Sequence, residues 1–306
     1  MIAESRLTFP LTALYGLFLC LAGGVIQHQW WIQLGCLALA TYLILLFNNF
    51  YSLIRIYSRA ITSAFIILSG VACFIFPSIE GGIVTVGIAA SLLTLFATYQ
   101  DKEAVGWIYY TFLILGLVSL AKVHILGLIP IYWVLMLFLS SFGLRSFMAS
   151  LLGLLTPYWF WLAIVIFLYK GNLSLFTSHF QPLAELELLN GYDSLSLAHY
   201  LTYGFLVLLT IIGIVHFLRT SYNDKIRTRQ FYYCIMFFNL MVLVLLAIFP
   251  LQYDLLLRAA IILTSPLIGH FVALTNTKVT NIAFIALLII ALVLTAVNLW
   301  ISSFTF

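Results

Sequence analysis

Long apolar segments alternate with short polar segments along the entire chain. A helix that crosses a bilayer needs about 20 mainly apolar residues, and about eleven segments approach that length. The predicted spans cover approximately residues 9–25, 31–47, 60–76, 83–98, 105–121, 125–142, 146–169, 197–218, 231–249, 255–274 and 282–301. The pattern predicts an all-α protein, a polytopic integral membrane bundle of about 11 transmembrane helices.

The amino-acid composition places this bundle in lipid rather than in water. Of the 306 residues, 64% are apolar and 7% are charged, and the mean hydropathy is +1.17. Soluble domains average about 45–50% apolar and about 25% charged residues. The chain therefore has too few polar groups to cover a water-facing surface. No loop is long enough to form a separate domain, and residues 1–306 are interpreted as one transmembrane domain.

The distribution of basic residues predicts the orientation in the membrane. The segment Arg219–Arg229 carries four of the thirteen Lys and Arg residues, and basic loops stay on the cytoplasmic side. With the loop 219–230 inside, alternation places ten basic residues inside and three outside, namely Lys122, Lys170 and Arg258. The N-terminus is therefore predicted to be cytoplasmic. Nucleic-acid binding requires a contiguous basic face, which this distribution does not provide, so we expect no nucleic-acid partner.

The longest polar connection is the predicted periplasmic loop 170–196. Its leucines suggest a short amphipathic helix on the membrane surface. Three carboxylates and two nearby histidines could perform acid–base chemistry, or they could belong to a solvated loop, which is the more common arrangement. The side chains concerned are Glu185, Glu187, Asp193, His179 and His199. No catalytic residue is assigned on this basis.

A candidate ligand site lies at the predicted outer end of the tenth span. Asp254 and Arg258 are four residues apart and can meet on one helix face. Arg258 lies about one turn inside an apolar helix, where a charge is costly unless it is paired or hydrated. Either this arginine extends outward and only anchors the helix, or it binds an anionic group.

The second interpretation predicts a ligand at the periplasmic face, between the loop 170–196 and the start of the tenth span. Lys122 and His124 would approach it from the ends of the fifth and sixth spans, and Glu185 and Glu187 from the loop. A basic group at the level of the lipid headgroups suits an anionic lipid phosphate, such as a polyprenyl phosphate carrier. Membrane lipids are therefore the expected partners.

The remaining titratable side chains give weaker signals. His216 and His270 lie near the predicted inner ends of their spans, where single histidines are usually interfacial or packed. The cysteines lie inside apolar segments, and none forms a Cys-x-x-Cys or Cys/His cluster. We therefore expect no metal site and no cofactor. These cysteines are Cys20, Cys36, Cys73 and Cys234.

Two features concern the seventh span. Pro157 should bend it, because the proline ring clashes with the carbonyl group four residues earlier. The alternative is a short surface helix followed by a span. Ala149 and Gly153 are four residues apart, which allows close packing against another helix.

Several short segments in the first half of the chain resemble a family of uncharacterised multi-pass inner-membrane proteins from Bacteroidota. The segments are Asn48–Tyr51 with Arg55, Ala97–Gln100, Leu144–Phe147 and Leu151–Phe160. The resemblance implies a Gram-negative inner membrane, and hence a periplasmic outer face. It implies no activity, and no residue takes a role from it.

Two classes of function agree with these observations. The first is a non-enzymatic membrane subunit or transporter, which agrees with the small number of polar residues. The alternative is a membrane enzyme or carrier that acts on lipid-linked glycans at the periplasmic face. Against the alternative, the first outer connection, Gln27–Trp31, lacks the acidic residue that glycosyltransferases of similar architecture place there. We expect the first class, and the sequence leaves open whether the protein is an enzyme.

Cysteine labelling tests the predicted orientation. In a variant that lacks the four native cysteines, the thiol of Ser194→Cys should react with a membrane-impermeant reagent from the periplasmic side, because the loop 170–196 is predicted to lie there. Labelling of this thiol only after the inner membrane has been permeabilised would contradict the predicted topology.

Overall fold

The computed structural model describes residues 7–168, 174–184, 188–275 and 277–303. These residues form thirteen α-helices joined by short loops and 3₁₀ turns, and no β-strand occurs among them. The helices are α1 Thr8–Ala22, α2 Val25–His28, α3 Trp31–Tyr51, α4 Ala60–Val71, α5 Ile79–Phe96, α6 Val105–Ala121, α7 Ile129–Phe138, α8 Leu144–Leu168, α9 Ser174–Ala184, α10 Leu197–Thr220, α11 Ile226–Ile248, α12 Tyr253–Leu274 and α13 Lys278–Ser303.

Seven of the helices in the described ranges are long and apolar enough to cross a membrane: α3, α5, α8, α10, α11, α12 and α13. The segments Thr8–Ala22, Ala60–Val71, Val105–Ala121 and Val123–Phe138 are also apolar but shorter. The predicted all-α architecture is therefore confirmed, and the helices agree with a bundle that spans a membrane. The larger number of about 11 spans stays a prediction.

Two of the differences from the predicted boundaries occur next to prolines. The sixth span was expected from Ile125, but α7 begins at Ile129, after a 3₁₀ turn over Val123–Leu128. Pro130 lies in the first turn of α7, where the missing N–H costs nothing because it would have no helical partner. Likewise α4 ends at Val71, and a 3₁₀ turn leads from it to Pro77.

α8 continues through Pro157 as one helix, so the alternative of a surface helix followed by a span does not apply. The bend at Pro157 stays a prediction. The expected close packing is present, because a Cβ on Gly153 would collide with the backbone carbonyl of Tyr109 on α6. Pro157 itself packs against Gly116 of α6.

α12 is the interior helix of the bundle. Nineteen of its 22 residues are buried, and it packs against α4, α5, α10 and α11. Close approach depends on glycines at these contacts: a Cβ on Gly269 would meet the backbone of Ile61 on α4, and one on Gly213 of α10 would meet Leu267. Small residues allow membrane helices to pack at short range.

α8 and α13 lie at the periphery, since only 22% and 17% of their membrane-length windows are buried. Large apolar residues form these exposed faces, for example Trp159 on α8 and Val293 on α13. In water such faces would be unfavourable, whereas lipid tails cover them without cost. The contrast with α12 separates a protein-facing helix from lipid-facing helices.

The basic loops meet at one end of the bundle, which we call the basic end. Arg55 approaches Asp224, and the Arg227 guanidinium lies over the rings of Tyr51 and Tyr99 at the ends of α3 and α5. The backbone N–H of Gln100 donates to the Leu139 carbonyl, which brings the loop after α7 to the same end. Among the described residues, nine Lys and Arg residues lie in these loops or in the adjoining helix ends. They are Arg55, Arg59, Lys102, Arg145, Arg219, Lys225, Arg227, Arg229 and Lys278.

The opposite end, which we call the sparse end, has two described basic residues, Lys122 and Arg258. Arg6 and Lys170 lie outside the described residues. The arrangement in three dimensions thus preserves the charge difference that was read from the alternation of spans.

Candidate functional site

The interior helix α12 carries ionisable side chains near both of its ends. Asp254 and Arg258 lie near its start, at the sparse end, and His270 lies near its last turn, at the basic end. Arg258 and His270 are both buried. An ionisable group inside a membrane bundle is costly and is therefore a candidate for function.

Arg258 is held by three neighbours from three different elements. Its Nε donates to Asp254 Oδ1 at 3.0 Å and one Nη donates to Thr85 Oγ1 of α5 at 3.3 Å. The other Nη donates to the carbonyl of Ile75, in the turn after α4. The guanidinium therefore ties α12 to α5 and to the end of α4. It is 9% exposed, so protein encloses it, whereas an anchoring arginine would extend outward into solvent.

Gly81 on α5 makes room for this guanidinium. A Cβ at Gly81 would collide with the Nε, Cζ and Nη atoms of Arg258. The preceding Ser78 caps α5, since its Oγ accepts from the Gly81 N–H at 3.0 Å. The first turn of α5 is thus fixed beside Arg258, and the position is open only because residue 81 has no side chain.

A cavity of about 90 Å³ lies on the other side of the guanidinium. Gln33, Ser69 and Thr85 contribute polar side chains to its walls, and the remaining lining is largely apolar. Gln33 is fixed by a hydrogen bond from its Nε2 to the Pro77 carbonyl at 2.9 Å. The cavity is therefore a mainly apolar chamber with one arginine in its wall, which suits a small anionic group.

The structure places the cavity on a different side of α12 from the expected ligand position. Its lining comes from α1, α3, α4, α5, α12 and α13 and the turns between them, and none of the described residues of the loop 170–196 contributes. Its residues 188–196 lie instead near the end of α11, where the Leu189 N–H donates to the Ile248 carbonyl at 2.9 Å, and α9 packs against α8 and the turn Val123–Leu128. The loop was expected as a wall because the alternation of spans placed it on the same side of the membrane as the start of α12, but none of its described residues lines the cavity.

Lys122 and His124 are near the sparse end but do not contribute to the cavity lining. Lys122 Nζ lies 3.6 Å from Glu80 Oε2, next to Gly81 in sequence, and both side chains are substantially exposed. The 3₁₀ turn Val123–Leu128, which contains His124, packs against α9 instead. His124 Nδ1 is buried with no hydrogen-bond partner among the described residues. The two remaining predicted site residues, Glu185 and Glu187, lie outside the described residues.

The histidines proposed for acid–base chemistry have structural contacts. His179 on α9 lies with Nε2 3.1 Å from the Ser119 carbonyl and packs against Trp161. His199 caps the start of α10 through Ser196. These contacts account for both side chains without a catalytic role.

At the basic end, the structure brings together residues that the sequence analysis treated separately. His270 Nε2 lies 3.1 Å from Asp224 Oδ2, and both side chains are at most 1% exposed. Arg55 Nη1 approaches the other carboxylate oxygen at 4.0 Å. The rings of His270 and His216 lie with their centroids 5.4 Å apart.

His216 and His270 are packed, as expected, but they are not isolated: their rings contact each other, and His270 reaches the Asp224 carboxylate. Asp224 is 46 residues from His270, so no local spacing indicates the pair. One signal was present, because Asp224 is the acidic residue within the otherwise basic segment Arg219–Arg229. A single carboxylate within a basic segment indicates a specific partner, and in the structure Asp224 contacts the buried His270.

A third polar group lies between the two ends of α12. Asn239 Nδ2 donates to Thr210 Oγ1 at 2.8 Å and to Thr264 Oγ1 at 3.2 Å. These side chains join α10, α11 and α12, and all three are buried. Polar bonds of this kind hold membrane helices together, so we assign this group to packing.

Among the described residues, no group of three His, Cys, Asp or Glu side chains is placed to hold a metal ion. No family model, no curated protein and no solved structure matches this chain. The functional argument therefore depends on the geometry at the two ends of α12.

Replacement of the two sparse-end basic residues should have unequal effects on folding. Arg258→Gln removes the guanidinium donors from the buried Thr85 hydroxyl, the Ile75 carbonyl and Asp254, which should lower the free energy of unfolding by about 1–3 kcal/mol. Lys122→Gln removes the same charge from a solvent-exposed pair and should cost below ~1 kcal/mol. Equilibrium unfolding in mixed detergent micelles measures the free energy of unfolding of both variants. Equal losses of this free energy would show that the buried contacts of Arg258 do not stabilise the fold.

Proposed function

We propose that the protein is a non-enzymatic integral membrane protein, a transporter or a membrane subunit, that binds an anionic lipid headgroup in the cavity beside Arg258. The observation that carries this proposal is a buried arginine in the wall of a mainly apolar cavity. The proposed ligand is a lipid phosphate, and a polyprenyl phosphate is the candidate with the simplest headgroup.

Arginine suits this role because its planar guanidinium has five N–H donors. The hydrogen bonds to Asp254, Thr85 and Ile75 use three of them. The remaining donors can serve an anion, and the three protein contacts fix the guanidinium plane in advance. A cavity of about 90 Å³ corresponds to about three water molecules of liquid volume, which favours a phosphate group over a sugar ring.

The proposed setting is a bacterial inner membrane with about eleven spans, the seven long helices and the four shorter apolar segments. The four shorter segments would cross with the help of their flanking turns. The basic end is proposed to be cytoplasmic and the sparse end periplasmic, since nine of the described Lys and Arg residues lie at one end and two at the other. Arg258 would then lie at the level of the periplasmic headgroups.

A lipid-linked glycan presents the same phosphate chemistry, so the alternative of a glycan enzyme or carrier shares this headgroup site. It would require the glycan to lie outside the cavity, because the cavity volume is too small for a sugar chain. The non-enzymatic proposal needs only the phosphate contact, and for that reason we prefer it.

Native mass spectrometry of the purified protein tests the binding proposal. The parent should retain a polyprenyl monophosphate in preference to phosphatidylcholine, because only the former presents a phosphate without a covering choline. Ser69→Leu fills the cavity from α4 without changing Arg258 and should weaken this binding by at least about tenfold. Arg258→Gln should weaken it similarly.

Competition with inorganic phosphate tests whether the protein recognises the headgroup or the lipid chain. Competition by inorganic phosphate would show that the headgroup alone is recognised, and its absence would show that the chain is required. The matched charge control is Lys122→Gln, which should bind like the parent. Parent-like binding by both Ser69→Leu and Arg258→Gln would contradict the site.

A further inference from the structure

An apolar groove of about 450 Å³ lies in the half of the bundle next to the basic end. Its walls come from α1, α4, α10, α12 and α13, and Leu68, Leu209 and Ile268 are buried members of its lining. None of the described residues lines both this groove and the cavity beside Arg258. The groove is therefore a second candidate site, and the function proposed above leaves it unused.

The lining of the groove presents almost only hydrocarbon to an occupant. Thr8, Thr12 and Ser63 are its polar side chains, and the Thr12 hydroxyl donates to Ser63 Oγ at 3.1 Å. The other described residues of the lining are Ala, Val, Leu, Ile and Phe. An ordered water needs several polar partners, and apolar cavities stay dry. The groove therefore favours an apolar occupant over water.

The groove runs from a contact between α1 and α13 to the basic end. Tyr15 Oη donates to Thr295 Oγ1 at 3.1 Å, about one turn beyond the last lining residues of α1 and α13. On α4 the lining extends from Leu68 back to Ala60, the first residue of that helix. These eight steps correspond to about 12 Å along the helix axis. The groove thus reaches the level at which lipid headgroups lie beside the basic end.

Arg59, next to Ala60, places a positive charge at this mouth of the groove. Its guanidinium lies 5.3 Å from the centre of the Phe9 ring on α1, and one Nη donates to Tyr57 Oη at 3.1 Å. The side chain is exposed, and the bond to Tyr57 uses one of five N–H donors. A second cation, Lys278, begins α13. A guanidinium held beside an apolar groove is complementary to a molecule with an anionic phosphate and a hydrocarbon chain.

The size of the groove argues against a helix of a partner protein as its occupant. A helix with its side chains is about 10–12 Å across, so one turn of about 5.4 Å already fills about 420–610 Å³. The groove would hold about one such turn, which is too little to dock a membrane helix. A single acyl chain is narrower and can lie along the whole length of the groove.

We propose that this groove binds one acyl chain of an anionic phospholipid from the leaflet at the basic end, with the lipid phosphate bound by Arg59. The chain covers Ile268 and Val272, the α12 residues of the lining, and so completes the enclosure of α12. Five helices surround the chain and a guanidinium holds the phosphate, so this lipid is retained when the surrounding lipids exchange. The groove and the cavity beside Arg258 lie toward opposite ends of the bundle, so either site can fail without the other.

Native mass spectrometry of the delipidated protein tests the proposal, with phosphatidylglycerol and phosphatidylcholine that carry the same acyl chains. The parent should bind one phosphatidylglycerol about fivefold more tightly than phosphatidylcholine, which is the contribution of one basic residue near a membrane surface. Arg59→Gln should remove this preference. Ala64→Phe, which fills the groove from α4, should weaken the binding of both lipids by at least about tenfold. Should Ala64→Phe fail to fold, Leu288→Trp fills the groove from α13.

Three variants serve as matched controls and should bind both lipids like the parent. Arg145→Gln removes the same charge from an exposed position at the same end, Ala286→Phe adds the same ring to an exposed position of α13 outside the lining, and Ser69→Leu fills the other cavity. The proposal is overturned if the parent does not prefer phosphatidylglycerol, or if Arg59→Gln and Arg145→Gln reduce the preference equally. Parent-like binding by Ala64→Phe, or loss of binding in Ser69→Leu alone, would also overturn it, because the lipid would then lie outside the groove.

Discussion

The enclosure of α12 by protein is the constraint on which the rest of the structure depends. This helix contains Arg258 and His270, and lipid cannot solvate either side chain when it is charged. Each must therefore find its partner in the protein, and the surrounding helices are placed to supply one. α5 and the turn after α4 provide Thr85 and the Ile75 carbonyl for Arg258, whereas the loop before α11 provides Asp224 for His270.

The same constraint explains why the two ends of α12 differ in chemistry. At the sparse end the buried charge is the arginine, whose guanidinium donates to Asp254, Thr85 and the Ile75 carbonyl. At the basic end the buried carboxylate is Asp224, which lies beside His270 and Arg55. Between the two ends, the Asn239 group and the close contacts at Gly213 and Gly269 hold the neighbouring helices against α12, so that the two sites keep a fixed separation.

The sequence alone predicted the helices well, because the length of an apolar segment is a local property. The end of α4 and the start of α7 were less predictable, since the 3₁₀ turns that precede Pro77 and Pro130 have an extent that depends on packing. The Asp254–Arg258 pair could be predicted from the sequence, because the two residues are four positions apart. The direction in which the Arg258 side chain points could not be predicted from the sequence, because it depends on the absence of a side chain at Gly81 in another helix. Asp224 and His270 could not be paired from the sequence, because only the fold brings them together.

Lipid-facing and protein-facing helices can be distinguished in the native protein with a lipophilic diazirine, whose carbene inserts into any side chain that the bilayer interior reaches. After photolysis in membranes, peptide mass spectrometry should find modification on the exposed apolar faces of α8 and α13, for example at Trp159 and Val293, which are 73% and 56% exposed. Peptides from α12 should remain unmodified, because 94% of its membrane-length window is buried. Modification of α12 at a level similar to that of α13 would contradict the account, since Arg258 and His270 would then face lipid.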